Sequence, residues 1–141
     1  MEAYDIKMRW IDLQKILIEQ LEKRSDLQSI LYLIGVDELG RGIQTFTKEE
    51  KQDLIHLGIC KVLSYSGYYA HVGTDADGWH HYEALMAVPQ LSVLEQEHLL
   101  KAHVIHHFEV LGVLGSETVG SGDILQNIDY SAAEPDFDSL A

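Results

Sequence analysis

The sequence predicts a mainly helical α+β fold with about four helices packed around a central buried helix at residues 48–65. One antiparallel β-hairpin at about residues 68–86 and a flexible acidic C-terminal tail complete it. Apolar residues recur at helical spacing in four segments, and aromatic runs flank a dense turn signal. Beyond residue 112 this periodicity is lost. We therefore expect one globular domain at 1–111 and a mobile tail at 112–141.

The first segment has the pattern of an amphipathic helix. Its apolar residues follow one another at intervals of four and three, on one helical face: Ile6, Trp10, Leu13, Leu17 and Leu21. Asp5 precedes this stripe in a position suited to an N-cap. The stripe is expected to pack on the core of its own chain. The alternative is a short seam that pairs with another subunit.

The second segment begins with Ser25 and Gln28, the spacing of a capping box. Leu27, Ile30, Leu31 and Ile34 follow at helical spacing, and Gly40 or Gly42 can end the helix. The run at 30–36 is also continuous enough for a buried strand. The capping box favours the helix.

Two further capping boxes, Thr47 with Glu50 and Ser92 with Glu95, begin the third and fourth helices. Apolar residues cover most of the circumference of the third helix, which predicts a buried core position. The fourth helix is expected to end at about Leu111, with Gly112 beyond it.

A hairpin is predicted between these two helices. The runs 68–72 and 79–82 are rich in aromatic residues, and the glycine- and aspartate-rich segment 73–78 separates them. Asp75 and Asp77 resemble part of a calcium loop. The first carboxylate and the bidentate glutamate of such a loop are missing, so we interpret the segment as a polar turn.

The charge distribution disfavours two classes of partner. The net charge is −13, and nine of the ten Lys and Arg residues lie at or before Lys61. Phosphate backbones and anionic membrane surfaces attract clustered cations, so we expect neither nucleic-acid nor membrane binding. A single cysteine, Cys60, and an N-terminus without a secretory pattern favour a cytoplasmic protein.

Eight histidines are the feature that most invites a metal-binding interpretation. His103 and His107 are four residues apart on the last helix, the spacing by which one helix offers two imidazoles to a metal ion. Further ligands would come from the hairpin, with His80, His81 and Glu83 as candidates. Zinc needs three or four such ligands, and the His-Glu-x-x-His pattern is absent.

His56 and Cys60 also lie four residues apart, with Asp53 one turn earlier. A catalytic triad would require a thiol of lowered pKa in a cleft. We expect ordinary packing of these side chains instead.

These observations favour a non-enzymatic interaction or assembly module without a cofactor, acting as a homodimer or with another protein. Binding of a divalent metal such as zinc by the histidines of the last helix and hairpin is the alternative. A second alternative follows from the order of a helix and an aromatic hairpin, which resembles winged-helix regulators. The hairpin lacks Lys and Arg, so such a regulator would act through protein contacts.

Overall fold

The computed structural model describes residues 3–21, 26–41 and 44–114. In this part of the chain there are four helices, α1 (Ala3–Leu21), α2 (Leu27–Leu39), α3 (Lys48–Ser64) and α4 (Val93–Val110). Two strands, β1 (Tyr69–Thr74) and β2 (His80–Ala84), form an antiparallel hairpin between α3 and α4. The predicted mainly helical α+β fold is confirmed. The run at 30–36 is helical, as the capping-box argument favoured.

The structure divides into two compact units. One contains α1 and α4, and the other contains α2, α3 and the hairpin. The predicted single domain at 1–111 and the mobile tail stay predictions, since residues 115–141 lie outside the described residues. No described helix combines the length and the apolar character needed to cross a bilayer.

In the first unit, α1 packs along α4. The predicted stripe of α1 is buried within the chain, with exposures of 0–7% at Ile6, Trp10, Leu13 and Leu17. It therefore packs on its own chain, and it is not presented as a seam for another subunit. Asp5 lies inside the first turn of α1 and is not its cap, so that detail of the prediction was wrong.

In the second unit, α2 and α3 approach until their backbones touch. A Cβ atom added at Gly35 would lie 1.9 Å from the carbonyl oxygen of Leu54. One added at Gly58 would lie 2.1 Å from the carbonyl oxygen of Leu31. Only glycine is compatible with such distances. This close crossing positions the last turn of α2, which ends at Leu39, in the unit that also contains the hairpin.

The helix ends follow local rules read from the sequence. Both predicted capping boxes that lie in the described residues are present, at Thr47 with Glu50 and at Ser92 with Glu95. The Ser25 box lies outside the described residues. Gly112, at φ 80°, ends α4 in a Schellman motif in which the Val113 N–H donates to the Phe108 carbonyl.

The hairpin register decides which side chains share a face. His71 is paired with Tyr82, Gly73 with His81, and Thr74 with His80. The register therefore shifts between His71 and Gly73, and Gly73 has a φ of 140° that suits glycine. Because strand side chains alternate, His80 and Tyr82 project from the same face of β2.

Candidate metal centre

One face of the hairpin brings two histidines into contact. His71 on β1 faces Tyr82 directly across the ladder, and His80 is its diagonal neighbour on β2. His71 Nε2 lies 2.8 Å from His80 Nδ1, and the two ring centroids are 5.0 Å apart. One imidazole therefore donates a hydrogen bond to the other. The Tyr82 ring closes the group with an edge-on contact to His71 at 5.2 Å.

Glu38, in the last turn of α2, completes a three-residue cluster with these histidines. Its Oε1 atom lies 3.8 Å from His80 Nδ1 and accepts a hydrogen bond of 3.0 Å from the Tyr82 hydroxyl. One ligand atom from each of Glu38, His71 and His80 lies within 4.8 Å of the other two. Within the described ranges, these three residues are the one group of His, Cys, Asp or Glu side chains that lie close enough together to hold a metal ion.

The last turn of α2 is negatively charged. Asp37 and Glu38 occupy the last turn, which carries no basic residue of its own. The C-terminal end of a helix has a partial negative charge and favours cations. Lys61 on α3 supplies one, with Nζ 3.8 Å from Glu38 Oε2. The position is suited to a bound cation rather than to an anion.

The negative charge of Glu38 contributes to raised pKa values at three neighbouring residues. Burial raises the pKa of Asp37, and the adjacent Glu38 raises it further. The pKa of Tyr65 is raised by burial and then by Glu38. Burial, followed by the charge of Glu38, also raises the pKa of Tyr82 strongly. The Tyr82 hydroxyl therefore stays protonated and donates its hydrogen bond to the Glu38 carboxylate.

Two of the three distances within the cluster are near those of a zinc site. Two ligands at Zn–N distances of about 2.0–2.1 Å in a tetrahedron lie about 3.3 Å from each other. The histidine nitrogens are 2.8 Å apart and must separate slightly, whereas Glu38 at 3.8 Å must approach. Both adjustments are about half an ångström, within reach of small side-chain rotations. An ion would replace the proton shared by the two rings.

A cleft adjoins the cluster and is lined by its member His80 and by Tyr82, the hydrogen-bond donor to Glu38. Its volume is about 430 Å³. The remaining lining residues come from α3 and from the turn and second strand of the hairpin: Asp53, His56, Leu57, Cys60, Asp75, Trp79 and His81. The wall is therefore a mixture of aromatic and aliphatic surface with imidazoles and two carboxylates.

Cys60 in this cleft is not an activated nucleophile. His56 Nε2 lies 3.5 Å from its sulfur, as the four-residue spacing predicted. The side chain is buried, and burial raises the pKa of the Cys60 thiol to about 11. At neutral pH the group is a protonated thiol, which agrees with the predicted packing role.

The aspartate-rich loop is a turn, as predicted. Asp75 Oδ1 accepts the backbone N–H groups of Asp77 and Trp79, at 2.9 and 3.1 Å. Its other oxygen lies 2.8 Å from His81 Nε2. Both carboxylate oxygens of Asp75 therefore have internal partners, and together they fix the turn that connects β1 to β2.

The histidines of α4 lie in the other compact unit. His107 is buried, with 4% exposure, and its ring packs edge-on against Phe108 at 5.4 Å. His103 Nδ1 lies 2.7 Å from the carbonyl oxygen of Leu99 in its own helix. Neither belongs to the three-residue cluster. Metal binding by His103 and His107, with His80, His81 and Glu83 as further ligands, stays a prediction.

Two members of the cluster were not singled out as metal ligands from the sequence. The sequence predicts that His71 lies in the hairpin and that Glu38 lies near the end of the second helix, before Gly40. The alternation of side chains in the hairpin could have placed His71 and His80 on one face. Nothing in the local sequence around Glu38 indicates that α2 ends beside this hairpin.

The chain matches no protein-family model, no curated protein and no solved structure.

Proposed function

We propose that this protein binds one divalent transition-metal ion, with zinc as the expected ion, through Glu38, His71 and His80. The single observation that supports this most directly is the convergence of their ligand atoms to within 4.8 Å of one another. Two of these residues come from neighbouring strands, and the third comes from a helix 33 residues earlier than His71 in the chain. Of the ligands expected from the sequence, this site retains His80 and adds Glu38 and His71.

The ligand chemistry selects the class of ion. Two imidazoles and one carboxylate suit zinc, and also copper, nickel or iron, whereas magnesium and calcium prefer oxygen ligands alone. The Tyr82 hydroxyl, 3.0 Å from Glu38 Oε1, would act as the outer-shell hydrogen-bond donor that ligating carboxylates require. Lys61 at 3.8 Å balances part of the charge of Glu38 in the metal-free protein.

The test is an isothermal titration of the metal-free protein with Zn²⁺, followed by the same titration of His80→Ala and Glu38→Gln. Wild type is expected to bind one zinc ion. Loss of a direct ligand should weaken binding at least as much as loss of an outer-shell partner, which costs about 10- to 100-fold. We therefore expect a drop of about 100-fold or more in His80→Ala.

His81→Ala is the matched control. His81 is the next residue on the same strand, is exposed, and pairs with Asp75 rather than with the cluster. Its substitution should leave zinc affinity unchanged. Wild-type protein without stoichiometric zinc, or equal affinity in His80→Ala and His81→Ala, would refute the assignment.

The other expected functions stay predictions. A homodimer or a protein partner, cytoplasmic location and a winged-helix-like role rest on composition and element order. The stripe of α1 that motivated dimerisation is buried within the chain. Exposed apolar residues elsewhere, such as Val93 and Leu94 at 85% and 61% exposure, support the interaction module. Native mass spectrometry would test it, since a strictly monomeric protein at all concentrations would count against self-association.

A further inference from the structure

We infer that an ion at Glu38, His71 and His80 keeps a coordination position open toward the adjoining cleft, and that the cleft binds a small ligand with an uncharged body through it. The ligand would combine a metal-binding oxygen with an aromatic body. This inference rests on the proposed metal site and adds to it a second binding partner. It distinguishes a closed, purely structural ion from one that meets molecules in solution.

The number of protein ligands is the first argument. Structural zinc sites are closed by four protein ligands, whereas sites that act on other molecules keep three and leave the fourth position to water or substrate. In the part of the chain that the structure describes, the cluster contains three residues. The nearby Tyr82 hydroxyl already donates to Glu38. Cys60, whose thiol lines the adjoining cleft, contacts His56 with its sulfur rather than a member of the cluster.

The location of the cleft is the second argument. His80 is a member of the cluster and also lines the cleft, and so does Tyr82, the donor to Glu38. An ion bound through His80 therefore lies at the border of a hollow of about 430 Å³. This volume falls in the range of small-molecule sites, about 300–1,000 Å³. The hairpin that supplies two ligands thus supplies part of the wall as well.

The wall chemistry selects the ligand. Leu57, Trp79 and Tyr82 offer aliphatic and aromatic surface for a ring. Asp53 and Asp75 place carboxylates around the same hollow, and these disfavour an anionic body. An uncharged aromatic body that carries a carbonyl-type oxygen donor for the ion fits both features.

Cobalt substitution tests the open position directly, because the visible spectrum of Co²⁺ changes when its ligands change. The metal-free protein would be loaded with Co²⁺ and titrated with benzohydroxamate and, separately, with acetohydroxamate. We expect a saturable one-to-one spectral change with both probes. Benzohydroxamate should bind about tenfold more tightly than acetohydroxamate, because burial of its ring removes apolar surface from water.

Two variants test entry through the cleft. His56 lines the cleft, so His56→Trp should fill it and weaken benzohydroxamate binding about tenfold or more, about 1.4 kcal/mol, with Co²⁺ binding retained. Gln52→Trp, one turn earlier on α3, is exposed and does not line the cleft. It should bind the probe as wild type does.

The remaining outcomes overturn the inference in separable ways. If neither hydroxamate changes the spectrum of the cobalt-loaded protein, the metal centre has no open coordination position. A thiolate-to-cobalt charge-transfer band that disappears in Cys60→Ala shows that the thiol fills the position. If His56→Trp and Gln52→Trp bind benzohydroxamate equally well, the ligand lies outside the cleft. If the two hydroxamates bind with equal affinity, the cleft does not bind the aromatic ring. Absence of cobalt and zinc binding removes the proposed function itself.

Discussion

The histidines of α4 and those of the hairpin illustrate two ways in which a chain brings imidazoles together. On α4, His103 and His107 are neighbours by helical spacing alone, and one is buried while the other bonds its own helix. On the hairpin, His71 and His80 are nine residues apart but their nitrogens lie at 2.8 Å. Helical spacing supplies two imidazoles, and a third ligand must then come from another element.

At the hairpin, Glu38 is the third residue of the cluster, because the crossing of α2 and α3 brings the end of α2 beside the strands. In the described residues, the histidine spacing of one helix does not bring three possible ligands together, whereas two paired strands beside a helix end do.

The largest effect is expected where the backbones of α2 and α3 touch. Gly35→Ala would place a methyl group at 1.9 Å from the Leu54 carbonyl oxygen, so the helices must move apart, and the free energy of unfolding should fall by about 3 kcal/mol. The displacement should also weaken zinc binding, because it moves Glu38 relative to the hairpin. Chemical denaturation and zinc titration measure the two effects.

Gly67→Ala serves as the comparison for that variant. A Cβ atom there has no neighbour closer than the Met86 Cε at 3.8 Å, although its φ of 81° is strained for alanine. The cost should be about 1–2 kcal/mol. If Gly35→Ala costs no more than Gly67→Ala, the helices do not touch as described.

A middle-sized effect separates the two histidine groups. His107→Ala removes a buried ring from α4 and should lower the free energy of unfolding by about 2 kcal/mol, with zinc affinity unchanged. His80→Ala, on the more exposed hairpin, should lower stability by about 0.5 kcal/mol and remove zinc binding. Thermal unfolding of the metal-free variants measures the two stability changes. Zinc titration of each variant measures the two changes in affinity. Loss of zinc binding in His107→Ala, with zinc binding retained in His80→Ala, would indicate a metal site on α4 instead.

The smallest effect concerns two carboxylates that stabilise the local structure of these regions. A hydrogen bond from His81, followed by the backbone N–H groups of Trp79 and Asp77, lowers the pKa of Asp75. The N–H of Ser92 is the main cause that lowers the pKa of Glu95. Since both folded-state pKa values are below the unfolded ones, their contribution is complete above about pH 4–5. It is lost as the pH falls through the folded-state values.

We expect Asp75→Asn and Glu95→Gln to reduce the fall in melting temperature between pH 7 and pH 3. Wild type measured across the same range is the reference. Asparagine keeps an oxygen for the two backbone donors in the hairpin turn, so Asp75→Asn isolates the charge. An unchanged pH dependence in both variants would show that these carboxylates have no measurable role in acid stability.

The elements that could be predicted from the sequence are those that local interactions specify. Capping boxes at Thr47 and Ser92 and the glycine after α4 fix helix ends through hydrogen bonds within a few residues. The stripe at spacings of three and four defines the buried face of α1, because helical periodicity is a local property. The aromatic runs and the turn at Asp75 define the hairpin for the same reason.

The residues that those elements bring together depend on tertiary packing, which local sequence patterns do not specify. The approach of α2 to α3 depends on Gly35 and Gly58 meeting carbonyl groups about 20 residues or more away in the chain, which no local pattern encodes. The cluster depends on that approach and on the register of His71 against Tyr82. Contacts between distant segments form through the packing of whole elements, so Glu38 became a candidate ligand only when the end of α2 was seen beside the hairpin.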